Sequence, residues 1–249
     1  MTGYGSRALS DFPTVTAAQM REVDRLMVDE YGIALLQMME NAGRGLACLT
    51  RSLWPGSGEG SLVVLAGTGG NGGGVLAAAR HLANADWPVR VVLAGPPERY
   101  QGASGQQLAI LQRMDVPILD EAQAAGPVGV ILDGLLGYSL SGIPRGRIAG
   151  LIEWANQQSA YRLANDLPSG LAPDTGQPLS PCLQAHVTLT LALPKIGLTQ
   201  PQAAQHVGEL YLADIGVPPA LYTRPTLDMP RPPVLPTQPL KLQGQLPPE

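Results

Sequence analysis

The stretch whose reading decides the fold is residues 62–82, LVVLAGTGGNGGGVLAAARHL. A run of β-formers passes into six glycines within Gly67–Gly74, interrupted only by Thr68 and Asn71, and then into an Ala-rich segment with helical character. A strand, a bare turn and a helix in that order form the first half of a βαβ unit. Such a turn at the carboxyl end of a strand is where open parallel sheets bind ligands. Glycine permits positive φ and close backbone approach, and the N-terminus of the following helix favours an anion. The run does not follow G-x-G-x-x-G with a later acidic residue, and it lacks the lysine of a P-loop, which disfavours an ordinary dinucleotide or nucleoside-triphosphate fold.

Working outward, short apolar runs recur at SLVVLA (61–66), VRVVLA (89–94), GVILDG (129–134), AYRLAND (160–166) and HVTLTLA (186–192), with helical sequence between them. Nearly continuous apolar strands alternating with helices imply an α/β fold: a Rossmann-like, mainly parallel sheet covered on both faces, a three-layer αβα sandwich. Helices are expected near 74–86, 104–114 and 146–158. Upstream, Thr16 and Gln19 form a capping-box pattern ahead of Met20, Val23, Leu26 and Met27 at helical spacing. Gly32 is a plausible stop, and a second helix follows through Leu35, Met38, Met39 and Ala42. The methionine stripe is expected to be core or subunit interface.

The whole chain is 249 residues with 45% hydrophobic and 14% charged residues and a net charge of -4. That balance suggests neither a disordered polyelectrolyte nor a nucleic-acid binder. Cys48 and Cys182 cannot build a disulfide framework, the three histidines show no zinc spacing, and no apolar run reaches membrane-spanning length. The cytoplasm is the expected compartment. His81 is expected as an ordinary, partly exposed helix residue. Ten of the 24 prolines follow residue 217. The folded domain is therefore expected over 1–223, ending near Tyr222, with 224–249 a proline-rich tail or linker lacking a core of its own.

Two carboxylates close buried strands: Asp133 in VILDGLLG and Asp166 in YRLANDLPSG. A charge at the lip of a buried sheet needs hydrogen bonds, a cation or solvent, so each is either a turn cap or part of a functional site.

Together, TAAQMREVDRLMVDEYGIALLQMMENAGRGLA, the glycine run, DGLLG, NDLPSGLAPDTG, VTLTLALPKIGL and VGELYLADIGVP resemble the NAD(P)H-hydrate epimerase family, also described as the YjeF N-terminal domain, over about residues 14–219. The resemblance implies interconversion of the R and S forms of hydrated NADH or NADPH, NAD(P)HX. It implies a potassium ion held by Asn71, Asp133 and Ser169, with Asp166 as acid–base catalyst. It also implies substrate contacts from Gly70, Asn71, Gly72, Gly73, Gly74, Gly137, Tyr138, Ser139 and Asp166. A homodimer and functional coupling to an NAD(P)HX dehydratase are implied as well. Lys195 matches a family lysine, but a lysine at a strand end is expected to be solvated. The family's usual G-x-G-N-N-G-G-D-G is here GTGGNGGGV, with Gly70 for Asn and Gly74 for Asp, while D-A-L-F-G-T-G-L is here DGLLGYSL. Tyr138 could fill the pocket or stack on an aromatic ring. These departures leave a second reading open, a catalytically degenerate binding or dimerisation module built on the same fold.

Overall fold

The computed structural model describes residues 4–54, 60–140 and 142–244. Nine strands form one sheet: β1 (Ser6–Ala8), β2 (Ser61–Ala66), β3 (Val89–Leu93), β4 (Ile118–Leu119), β5 (Val128–Gly134), β6 (Tyr161–Asn165), β7 (Val187–Leu191), β8 (Glu209–Ala213) and β9 (Leu240–Gln243). Their spatial order is β1-β9-β8-β7-β6-β5-β2-β3-β4. Every pairing is parallel except β8 with β9. The order reverses between β2 and β5, the topological switch point at which such sheets open a crevice beyond their carboxyl ends.

The helices are α1 (Ala17–Arg25), α2 (Leu35–Leu53), α3 (Gly70–Ala83), α4 (Gly102–Arg113), α5 (Gly146–Gln157) and the short α6 (Ala204–Val207). Strand alternation sends side chains to two covered faces. Leu62, Val64, Val91, Val130 and Leu132 pack with residues of α2, α3 and α4. Val63, Leu65, Val92 and Ile131 pack under α5. Farther along the second face, Leu210 and Leu212 of β8 meet α1. The expected three layers are present, and near-continuous apolar strands are what two covered faces require.

Thr16 caps α1 in the expected capping box with Gln19. Residues Leu26–Glu30 continue it as a π-turn, and Gly32 leaves it at φ +67°. Met20, Met27, Met38 and Met39 are each at most 5% exposed within this one chain. The stripe therefore belongs to the core rather than to a subunit interface, because α1 turns it inward over the sheet and α2 brings Met39 against α3.

The end of the chain differs from expectation. The folded unit does not close at Tyr222: Leu227, Met229, Leu240 and Leu242 are buried in the core, and β9 pairs with both β8 and β1. Prolines exclude helix from this stretch but not extended chain, and the Leu240–Gln243 strand begins just after the last of the prolines that precede it. Among the described residues no helix is long and apolar enough to cross a membrane.

Candidate functional site

The glycine run is not a free loop. Gly70–Gly74 form the first turns of α3, and none of the six glycines has positive φ. Their requirement is close approach. A Cβ at Gly67 would lie 2.1 Å from the Leu135 carbonyl oxygen, and one at Gly72 would lie 1.7 Å from that of Gly67. At Gly73 it would meet Met39 Sδ at 2.6 Å, and at Gly74 Asn165 Nδ2 at 2.8 Å. Gly70 is open. The turn thus lets α3 start immediately beside β5 and β6, and no side chain caps that helix.

Beyond the strand ends lies a cavity of about 580 Å³. Gly70, Asn71, Gly72, Gly74, Gly137, Tyr138, Ser139 and Asp166 line it, together with Asp24, Thr68, Arg99, Arg145, Asn165 and Lys195. Gly73 does not line it, being turned toward Met39 and Ser104. Uncapped amides at the start of α3, Arg99 and Arg145 all line this cavity, and groups of that kind attract an anion.

Asp133 and Ser169 lie behind the wall formed by Leu135 and Leu136, and both are fully buried. Ser169 donates its hydroxyl to Asp133 Oδ1 at 2.7 Å and its backbone N–H to Oδ2 at 2.8 Å. Leu135 N–H donates to Oδ1 at 3.1 Å. Asn71 is linked to the group through the backbone of Leu136: its Nδ2 donates to the Leu136 carbonyl at 2.6 Å, while Leu136 N–H donates to Ser169 Oγ at 2.9 Å. Asp133 and Ser169 are thus in direct contact, whereas Asn71 reaches them only by way of Leu136, its Oδ1 being held by Asn165 Nδ2. Burial pushes the Asp133 carboxyl up to about 6 against the opposing pull of those three donors. Among the described residues no group of three or more His, Cys, Asp and Glu side chains could hold a metal. His81 bonds Glu40 instead, at 2.8 Å. One carboxylate among neutral amide, hydroxyl and carbonyl oxygens is a donor set for a hard cation of low charge.

Asp166 follows β6 at φ +67°, a left-handed backbone for a residue that is not glycine, and such strain gathers at functional sites. Its N–H donates to Leu189 O at 2.8 Å, and its Oδ1 accepts from Lys195 Nζ. Lys195 is wholly buried rather than solvated. Its ammonium also reaches Leu191 O at 2.7 Å and Thr190 Oγ1 at 3.4 Å, and a buried charge needs such partners. Tyr138 lines the cavity without filling it, and its hydroxyl donates to Asp24 Oδ2.

Sequence reasoning did not single out Asp24, Asn165, Arg99 or Arg145. Asn165 had a signal, being a second polar residue at the end of an apolar strand beside Asp166. Its Nδ2 donates to Asn71 Oδ1 at 2.7 Å, which fixes the carboxamide of Asn71. Its own Oδ1 is buried in the cavity wall without a hydrogen-bond partner among the described residues.

Residues 35–197 match the family model described as YjeF-related protein N-terminus. A protein of Dehalogenimonas lykanthroporepellens named NAD(P)H-hydrate epimerase is 46% identical over 212 residues, 84% of each chain. A bifunctional NAD(P)H-hydrate repair enzyme of Salinibacter ruber is 35% identical over 85% of this chain and 42% of its own length. The crystal structure of the yeast protein YNL200c superposes with a TM-score of 0.80 at 25% identity, covering 92% of this chain and all of that one.

Proposed function

The chain belongs to the family of YjeF-related protein N-termini, and from that premise we propose that it interconverts the R and S forms of hydrated NADH and NADPH, as an isomerase in nicotinamide cofactor repair. The observation that carries the reading is the Asp166–Lys195 pair, a strained carboxylate and a buried ammonium in the wall of one cavity. A carboxyl group there can protonate a leaving hydroxyl, and its carboxylate can stabilise the cation left behind. Lys195 sets the orientation of that carboxyl. The first turn of α3 with Arg99 and Arg145 suits the substrate's pyrophosphate, and the apolar wall of Leu135, Leu136 and Met39 suits its rings.

Asn71, Asp133 and Ser169 would hold the potassium ion, which when bound supplies positive charge beside Asp133 and rigidity to the Leu136 peptide. The support is the donor set itself, together with a penalty on the order of 3 kcal/mol for keeping Asp133 ionised at neutral pH, set by its pKa of about 6. Cytoplasmic action belongs to the same proposal, since Cys48 and Cys182 are both unpaired. So does coupling to an NAD(P)HX dehydratase. So too does a homodimer, for which the support is the exposed Val28, Tyr31, Leu35 and Leu36, close together in sequence, of which Leu35 lines the cavity. Light scattering at micromolar concentration tests it.

The deciding experiment is an epimerisation assay with purified R- and S-NADHX and NADPHX. The protein should equilibrate the epimers well above the rate without protein. Asp166→Asn, which keeps shape but cannot cycle a proton, should lose about a hundredfold or more. A folded wild-type protein without activity would leave the binding-module reading in its place.

A further inference from the structure

Asp24 comes from α1, far in sequence from Asp166, yet both line the same cavity, and they are the two carboxylates among its described lining residues. Their surroundings differ. Asp166 is salt-bridged to the buried Lys195, whereas Asp24 forms no salt bridge among the described residues and accepts a hydrogen bond from the Tyr138 hydroxyl. Burial raises the Asp24 pKa against the opposing influence of Tyr138 and Lys195, with the nearby Asp166 raising it further. Two carboxyl groups in one site whose environments are so unlike are suited to opposite proton duties.

The chemistry calls for two such groups. In an epimerisation that passes through loss and return of a hydroxyl, the oxygen leaves one face of the ring carbon and returns to the other. A single carboxyl group fixed on one side reaches only one of these events unless the ring turns over within the cavity. We propose that Asp24, oriented by Tyr138, is a second catalytic residue, so that the departing hydroxyl and the returning water are served by different carboxyl groups. This rests on the epimerase reading above.

In one direction, protonated Asp24 gives its proton to the hydroxyl on its side. The C–O bond breaks with its electron pair leaving on water, and the lone pair of the ring nitrogen forms the C=N bond of an iminium ion. A water molecule then adds from the Asp166 side. Its oxygen forms the new C–O bond, the C=N pair returns to nitrogen, and its proton passes to the Asp166 carboxylate. One proton enters and one leaves, and nothing is oxidised or reduced. For the other epimer the two residues exchange duties.

The test follows label rather than rate alone. R- and S-NADHX are incubated separately in water enriched in oxygen-18, and epimerisation and label uptake are read for each. Wild-type protein should invert and label both. Asp24→Asn should invert about a hundredfold more slowly while still labelling, without inversion, the epimer whose hydroxyl faces Asp166. Asp166→Asn should show the mirror pattern, labelling only the other epimer. Tyr138→Phe, which keeps both carboxyl groups, should slow inversion about three- to tenfold, the loss of one hydrogen bond, and leave labelling on the Asp166 side intact. It also serves should Asp24→Asn fail to fold. Wild-type inversion in Asp24→Asn would overturn the proposal. So would equal loss of inversion and of labelling for both epimers in a protein with unchanged circular dichroism and melting temperature, which would make Asp24 structural support for Asp166. A wild-type protein that inverts neither epimer would instead remove the epimerase reading beneath it.

Discussion

The carboxamide of Asn165 occupies the space that a side chain at Gly74 would need, its Nδ2 lying 2.8 Å from the position of a Cβ there. The aspartate usual in this family at that position cannot be restored in isolation. Gly74→Asp should destabilise the protein by about 1–3 kcal/mol, the range for overpacking a filled site. Adding Asn165→Ala should recover much of it, and urea unfolding of the two single variants and the double variant measures the coupling. Gly70→Asn, in open space with only Met39 Cε within 4.0 Å, should stay within about 0.5 kcal/mol of wild type.

Lys195→Met should be costly for a different reason. It removes the cation from a carboxylate that is itself 4% exposed, and breaking one side of a buried pair costs about 3–5 kcal/mol. Replacing both partners, with Asp166→Asn added, should be less destabilising than Lys195→Met alone, because the orphaned charge is gone. Equal melting temperatures for the single and double variants would contradict this.

Deleting residues 224–249 should destabilise the protein. The cut removes the buried side chains of Leu227, Met229, Leu240 and Leu242, and leaves β1 and β8 without their common neighbour. At about 1.5–3 kcal/mol for each apolar side chain, the loss should exceed about 5 kcal/mol. Calorimetry should show a melting temperature lower by about 10 °C or more; an unchanged one would mean that β9 adds nothing to the fold.

Between residues 61 and 192, β2, β3, β5, β6 and β7 were legible because both their faces are covered, which leaves an unbroken apolar run in the sequence, whereas the two-residue edge strand β4 was not. β5, β6 and β7 fall within one or two residues of the runs that announced them. β9 was not legible. Its apolar content is Leu240 and Leu242 among prolines, and what makes it a strand is the presence of β8 and β1, which no local pattern reports. In the site, Asn71, Asp133 and Ser169 could be named from their motifs; Asp133 and Ser169 bond directly, and Asn71 is linked to them through Leu136. Lys195 was misjudged because burial of a lysine depends on a carboxylate 29 positions away. Asp24 escaped notice because on α1 it is one of two acidic residues, beside Glu22, on a helix that also carries Arg21 and Arg25.

Potassium should raise thermal stability, and sodium or choline at equal ionic strength should raise it less. A ligand of the folded state alone stabilises by about 2.7 kcal/mol at a hundred times its dissociation constant. Asp133→Asn and Ser169→Ala should abolish the potassium-specific part while remaining folded. A wild-type shift identical for all three salts would remove the ion from the site.

β1 and β9 come from opposite ends of the chain and pair in register, Ser6 with Lys241 and Ala8 with Gln243. Within the sheet β1 has no other neighbour. During synthesis on the ribosome, β1 therefore emerges well before the β9 with which it pairs, and the strands from β2 to β8 can associate before that edge is closed. The same adjacency brings the two ends of the folded sheet side by side, so a short peptide joining them and a new opening elsewhere would give a circularly rearranged protein with the cavity undisturbed.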